Sequence, residues 1–399
     1  MTEAPLTLGI EEEYQIIDPE TRKLSAYVQQ MMNEGSTILG EQVKPEFMQS
    51  QIEVGSNICR NVQEARQELV RLRREIARVA ANNGRVIAAA STHPFSRWDE
   101  QQINEGARYK NLETSMQDVG RRMLIFGMHV HVGFGTDTRA FESMIDIQNQ
   151  LRYFLPHILV LTTSSPFWLG RDTGLKSYRS IVFENLPRTG IPPIFDSWHD
   201  YQHFVGIFGR VGALGKERPG GKADYTKLWW DTRPQEDFGT LEVRVCDVCT
   251  TIDEAICIAA LIQALVAKLL KLRNQNQSWR IYRSELIAEN KWRAVRGGLD
   301  GKLVDYGREE AIPARFLAKE LLDFVDDVLD DLNSRKEAEY LNTMLEQGTS
   351  SDRQLAVFRD MMRDGATREE ALAGVVDHLV RETVRDCGVE LKPPPPYSA

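Results

Sequence analysis

Cysteine is scarce in this chain of 399 residues, and the five that occur (Cys59, Cys246, Cys249, Cys257 and Cys387) are an odd, scattered set. That argues against a disulfide framework. Cys246-Asp-Val-Cys249 lacks the second Cys-x-x-Cys or histidine pair that a structural zinc site needs; if Cys246 shares a strand face with Glu242, it reads as a partly buried thiol near a site. Long apolar runs are missing too. The longest, 255–272, contains Gln263 and Lys268 and reads as a buried amphipathic helix rather than a membrane span. The first residues lack the basic-then-apolar layout of a secretion signal, so the cytoplasm is the expected compartment. Excess positive charge is also absent: 49 Lys and Arg against 58 Asp and Glu give a formal charge of −9. This argues against nucleic acid or an anionic membrane as the main partner. Phosphate-bearing small molecules stay open, because a local arginine cluster or a bound metal can reverse the field inside one pocket.

What is present is an ordinary globular composition, 42% hydrophobic and 27% charged. Hydrophobic period predicts strands at 6–17, 47–54, 86–90, 123–134, 180–184 and 240–247. A helix is expected over 62–81, where Val62, Ala65, Leu69, Leu72, Ile76 and Val79 recur at three or four, with Asn82-Asn83-Gly84 as its stop. Residues 162–221, rich in Gly, Pro, Ser and Arg, read as loops around a site, with a helix near 197–211. After Asp253 the pattern is almost wholly helical: 255–273, opened by the capping box Thr251…Glu254, then 308–332, 334–346, 352–364 and 367–386. Residues 393–396 predict an extended tail. The expected architecture is α+β: one domain over 1–399, with a sheet-bearing core (1–252), a helical region (253–390) and a mobile end (391–399).

The chemistry is concentrated on the polar faces of strands. In 6–17, Glu11 and Glu13 project from one face, while Glu12 shares the other with Leu8, Ile10, Tyr14 and Ile16. Two carboxylates about 7 Å apart along a strand repel unless a cation lies between them. Taken alone, the pair is also what a solvated edge strand would show. His129 and His131 alternate with Met128, Val130, Val132 and Phe134, and imidazole binds both metals and phosphate. Glu242 and Arg244 alternate with Leu241, Val243 and Val245. They could form a surface ion pair, or join a metal-binding carboxylate to a guanidinium that steadies a phosphoryl group. Gln49, Gln51 and Glu53 share a face, which Glu46 can join only if the chain bends near Pro45. Four strands that carry Glu, His, Gln and Arg where Thr, Lys and Ser are usual point to an oxygen-rich site for Mg²⁺ or Mn²⁺, two or more ions, whose coordination ATP phosphates would complete.

These residues carry a resemblance. Gly9-Ile-Glu-Glu-Glu-Tyr14, His129-Val-His-Val-Gly133, Glu184-Asn-Leu-Pro-Arg188, Trp229-Trp-Asp-Thr-Arg-Pro234 and Leu241-Glu-Val-Arg-Val-Cys-Asp247, in this order, resemble the bacterial type 2 glutamate–cysteine ligases of the glutamine synthetase-like superfamily. These are also described as carboxylate–amine ligases. Thr240 stands where glutamine synthetases carry an extra arginine, which favours the glutamate–cysteine ligase side. The resemblance implies a curved, mainly antiparallel sheet whose concave face holds ATP and divalent metals, with helices behind. It implies Glu11, Glu13, Glu53, His129 and Glu242 as metal ligands, Glu46 as their neighbour, Arg244 facing the γ-phosphate and His131 in nucleotide contact. The activity it implies is amide formation through an acyl phosphate, glutamate and cysteine being the named substrates.

Substrate carboxylates need cationic partners, and Arg233, Arg179 and Arg188 are the picks from the loop-rich middle, with Arg171 also available. Arg233 leads because Trp229, Trp230, Asp231 and Pro234 suggest a fixed loop beside Glu242. Small-molecule substrates are the expected partners, and a homodimer is compatible with this class of fold. Two alternatives remain at this point: an ATP-independent metal-dependent amide hydrolase, and a nonenzymatic nucleotide or metal sensor.

Overall fold

Alternation along the chain sets up one antiparallel sheet with an oily face and a charged face. Its strands are β1 (Leu8–Ile17), β2 (Val43–Pro45), β3 (Gln51–Gly55), β4 (Val86–Ala88), β5 (Met128–Gly133), β6 (Thr232–Gln235) and β7 (Thr240–Val243). The computed structural model describes residues 4–215, 223–393 and 397. The order is β6-β7-β5-β1-β3-β2, with β4 beside the C-terminal end of β1, and every pairing is antiparallel. Register matches apolar rows across strands: Leu8 lies opposite Val132, which faces Leu241, and Ile10 lies opposite Val130, which faces Val243. All six are buried.

This oily face packs against two long helices. Val62–Asn82 is capped by Asn61, whose side chain accepts from the Glu64 N–H, and it buries Leu69, Leu72 and Ile76. Ile252–Asn274 begins with the capping box that Thr251 and Glu254 predict. It is not the amphipathic helix expected. By length and composition it could cross a bilayer, but from Ile252 through Val266 nearly every residue is enclosed by protein, so it is apolar all round because it runs through the core.

Glu12, on the oily face of β1, is fully buried and meets Arg73 of the first long helix. Arg73 Nε and Nη2 donate to the two carboxylate oxygens at 2.9 and 2.5 Å, and the Tyr14 hydroxyl donates to the same group. The rest of the guanidinium donates to the carbonyls of Thr250, Cys249 and Thr383. One arginine thus ties the central strand, the helix entry and the C-terminal helix together.

Several expected elements differ. Residues 180–184 lie in the helix Tyr178–Phe183 and the turn after it, not a strand. Ile181-Val182-Phe183 has strand-like composition, but Ser177 and Ser180 hydroxyls bond each other and Ser177 donates to buried Asp247, fixing a helical turn. Residues 47–50 form a turn before β3, with Gln51 N–H donating to the Met48 carbonyl. Residues 123–126 precede β5 as irregular chain, and Gly127 forms an isolated antiparallel bridge with Asp247. The region after Asp253 is interrupted by a hairpin, Lys302–Asp305 with Glu310–Pro313, so the helix expected from 308 begins at Ala314. The helix expected over 334–346 breaks at Tyr340 into Arg335–Glu339 and Leu341–Gln347. Ser350–Arg363 and Arg368–Thr383 follow close to expectation. Of the tail expected at 391–399, residues 394–396, 398 and 399 lie outside the described residues.

Candidate active site on the charged face of the sheet

Strand register brings the predicted carboxylates and imidazoles together on one face. Glu11 lies opposite His129, His131 opposite Glu242, Glu242 opposite Arg233, and Glu13 opposite Glu53. Two groups result. In the first, one ligand atom from each of Glu11, His131 and Glu242 lies within 4.8 Å of the others; in the second, the same holds for Glu13, Glu46 and Glu53. Glu46 joins because the chain turns after Pro45, where β2 ends.

The first group is held by cations. Arg233 donates to Glu242 Oε2 through Nε at 3.0 Å, Gln235 Nε2 donates to the same oxygen, and Arg244 Nη1 donates to Oε1. Burial favours the neutral acid, but Arg233 and Arg244 outweigh it and keep the Glu242 carboxyl far below its ordinary range. Glu11 Oε2 is 3.0 Å from His129 Nδ1. Burial opposes its charge as well, yet the two histidines hold Glu11 well below the usual carboxylate value. His129 itself is pushed down to about 4 by burial and by Arg244. His131 Nδ1 lies 3.0 Å from Thr240 Oγ1, while its buried Nε2 has no hydrogen-bond partner and sits 3.7 Å from Glu11 and 4.0 Å from Glu242. An orphaned imidazole nitrogen between two carboxylates is a donor set suited to a hard or borderline divalent ion.

The second group is electrostatically unbalanced. Gln51 Nε2 and the Gly127 N–H donate to Glu13 Oε2 at 3.0 and 2.6 Å, and Lys44 stands 3.8 Å from Glu53. Burial and the neighbouring Glu46 still raise the Glu13 carboxyl to about 8, and burial with Glu11, Glu46 and Glu13 raises Glu53 well above its ordinary value. Three clustered carboxylates, Glu53 buried and Glu13 and Glu46 half-buried, with so little compensation also fit a divalent cation. Linkage gives the sign of a test. With divalent ions chelated, the folded protein holds an extra proton on Glu13 between about 4.5 and about 8, so this stabilisation is complete below about 4.5 and is lost as pH rises to about 8. The Tm of EDTA-treated protein should fall across that window. Mg²⁺ or Mn²⁺ should restore it most at the alkaline end, by about 2.7 kcal/mol at a hundredfold excess over Kd. A Tm indifferent to both ions near pH 8 would remove the metal assignment.

The arginines separate into different jobs. Arg233 is spent within the protein: besides Glu242, its Nη1 donates to the carbonyls of Thr226 and Leu228. The lead expected for it as a substrate-carboxylate partner therefore gives way to a role in holding Glu242. Arg244 and Arg179 each keep a buried Nε without a partner. Arg179 approaches Glu13 because residue 127 is glycine; a Cβ there would meet Arg179 Nη2 at 2.7 Å. Arg188 stacks over Trp229, donates to the Lys227 carbonyl and has a buried Nη2 without a partner. Arg171 is exposed. Cys246 is fully buried in the hydrophobic core within electrostatic reach of Arg179, and burial pushes its thiol up to about 12.

Sequence reasoning missed Gln235 and the pair Asp231–Lys291. Pro234 hid β6, since proline is unusual inside a strand, but β6 is the edge of the sheet and tolerates it. Lys291, buried, donates to Asp231 at 2.9 Å, and the Asp231 carbonyl accepts the Arg244 N–H. No local sequence signal links a lysine 60 residues away.

Solved structures share this fold. The structure of a glutamate–cysteine ligase from Francisella tularensis, solved in complex with AMP, superposes with a TM-score of 0.66 over 96% of this chain and 89% of that one, at 14% identity. A bifunctional glutathione synthetase from Pasteurella multocida gives 0.68 over 96% of this chain and 53% of that one, at 12% identity. In sequence, residues 7–378 match the model of glutamate–cysteine ligase family 2. Relatives carrying the provisional name glutamate–cysteine ligase 2 include proteins of Herpetosiphon aurantiacus, 50% identical over 95% of this chain and 94% of theirs, and of a Roseiflexus species, 51% identical over 95% of each. The chain belongs to glutamate–cysteine ligase family 2 and is a ligase that forms carbon–nitrogen bonds.

Proposed function

We propose that the protein uses ATP to activate the γ-carboxylate of glutamate and transfers the acyl group to an amine, with cysteine the first acceptor to test. The observation that supports this most is the placement of two carboxylate groups beside Arg244 and Arg179, both with a donor to spare, on one sheet face. A carboxylate is a poor acylating agent because its leaving group is oxide. In the first step its oxygen bonds to the γ-phosphorus as the bond to ADP breaks. In the second the amine nitrogen bonds to the acyl carbon, phosphate leaves, and the nitrogen releases a proton.

Glu11, His131, Glu242 and the adjacent His129 would hold one Mg²⁺ or Mn²⁺, and Glu13, Glu53 and Glu46 another. Bound there, the ions supply charge neutralisation to the phosphates. Arg244 donates to the oxygens of the transferring phosphoryl group, and its planar fork suits them. Arg179 and Arg188 pair with the substrate carboxylates. Arg233 keeps Glu242 oriented. Cations on the face are what let an acidic protein bind two acidic substrates.

ADP release with Mg²⁺ and ATP, measured with glutamate alone and then with a panel of amines including cysteine, tests the reading. Amine-dependent ADP and a matching amide are expected. Amide cleavage without ATP would replace the ligase by a hydrolase, and nucleotide binding without turnover would replace it by a sensor.

A further inference from the structure

The site face has two chemically unlike ends. At one end Glu13, Glu46 and Glu53 cluster near Arg179. At the other, beyond His131, stands the ring of Phe238, on the turn that joins β6 to β7. The two rings meet edge to face, with centroids 6.5 Å apart. Phe238 is 67% exposed.

A single exposed phenylalanine needs no explanation by itself. This one is held on a fixed backbone beside a site. The Gly239 carbonyl accepts the N–H groups of Phe134 and Gly135 at 2.8 and 3.2 Å, and the Asp237 N–H donates to the Tyr225 hydroxyl. Gly239 has φ +60°, and a Cβ there would lie 2.3 Å from the Gly135 carbonyl oxygen, so the turn is seated closely on the end of β5. The ring is therefore presented to solvent by a rigid support. Two residues along β7, Thr240 to Glu242, cover about 7 Å. From Phe238 the contacts pass to His131, then to Glu11 and Glu242, and from Glu242 to Arg244: an aromatic ring, an imidazole, a candidate cation site and a guanidinium in succession.

We infer that Phe238 is the stacking platform for the nucleobase of the triphosphate, with the nucleoside over Phe238 and His131 and the γ-phosphate at Arg244. This rests on the ATP-dependent reading above. Every base offers a π-face, and an exposed ring beside a charged groove captures it with little preference for base identity.

The test compares ATP with inorganic tripolyphosphate, which carries the phosphates and no base. Affinities of both are measured by calorimetry with Mg²⁺ present, for wild type, Phe238→Ala and Phe238→Trp. Phe238→Ala should weaken ATP about tenfold or more, leave tripolyphosphate within about twofold, and raise KM for ATP by a larger factor than it lowers kcat. Phe238→Trp should restore ATP affinity. Equal ATP affinity in Phe238→Ala and wild type, or equal weakening of both ligands, would overturn the platform while leaving the ligase reading intact. A wild-type protein that binds neither ligand would overturn both.

Discussion

Arg244→Ala should lower kcat roughly 10³-fold while the protein stays folded. The magnitude is that of a guanidinium stabilising charge on a transferring phosphoryl group. The fold should survive because Glu242 keeps Arg233 and Gln235 as partners. Arg244→Lys should recover only part of the loss, since an ammonium cannot reproduce two parallel donors. The measurement is steady-state turnover at saturating ATP, with the thermal midpoint as a control. A loss of less than tenfold would remove Arg244 from phosphoryl chemistry. Glu242→Gln is a harsher change than it looks, because it leaves two buried arginines without their shared anion. His129→Ala is the cleaner probe of metal-dependent turnover, since the neutral imidazole that burial already enforces contributes no charge to the fold.

Arg73→Ala should destabilise the protein by about 3–5 kcal/mol, the cost of stranding a buried carboxylate. Glu12 would lose both of its charge-assisted bonds, and the carbonyls of Thr250, Cys249 and Thr383 would lose a donor in the core. Urea denaturation gives the number from the midpoint and slope. Replacing both partners, Glu12→Leu with Arg73→Met, should recover part of the loss but not all, because the three carbonyls stay unsatisfied. A change below about 1 kcal/mol in Arg73→Ala would mean that water or another cation reaches Glu12.

The site was legible wherever two-residue alternation carried it. Glu11, Glu13, His129, His131, Glu242 and Arg244 fall on one face because strand geometry leaves no other choice once the oily residues are buried. Glu12 was equally legible as the residue on the wrong face, in need of a structural partner. That partner carried a signal of its own: Arg73 follows Leu69 by four residues and precedes Ile76 by three, so it stands inside the apolar stripe of its helix. What alternation cannot show is how chain segments far apart in sequence meet. Arg233 changed role because the carbonyls of Thr226 and Leu228 and the carboxylate of Glu242 use its donors. The helix at Tyr178–Phe183 was hidden because its preference is set by Asp247, 70 residues beyond Ser177.

The buried arginine beneath β1 also acts as a registration pin. Sliding this strand by one residue would turn Glu11 and Glu13 into the oily layer and swing Ile10 and Tyr14 into the charged one. Only the arrangement that delivers Glu12 to Arg73 gives the buried carboxylate a cationic partner while keeping Glu11 and Glu13 out of the oily layer. The same contact that secures the core therefore also fixes which side chains of β1 share the charged face with His129 and Glu53.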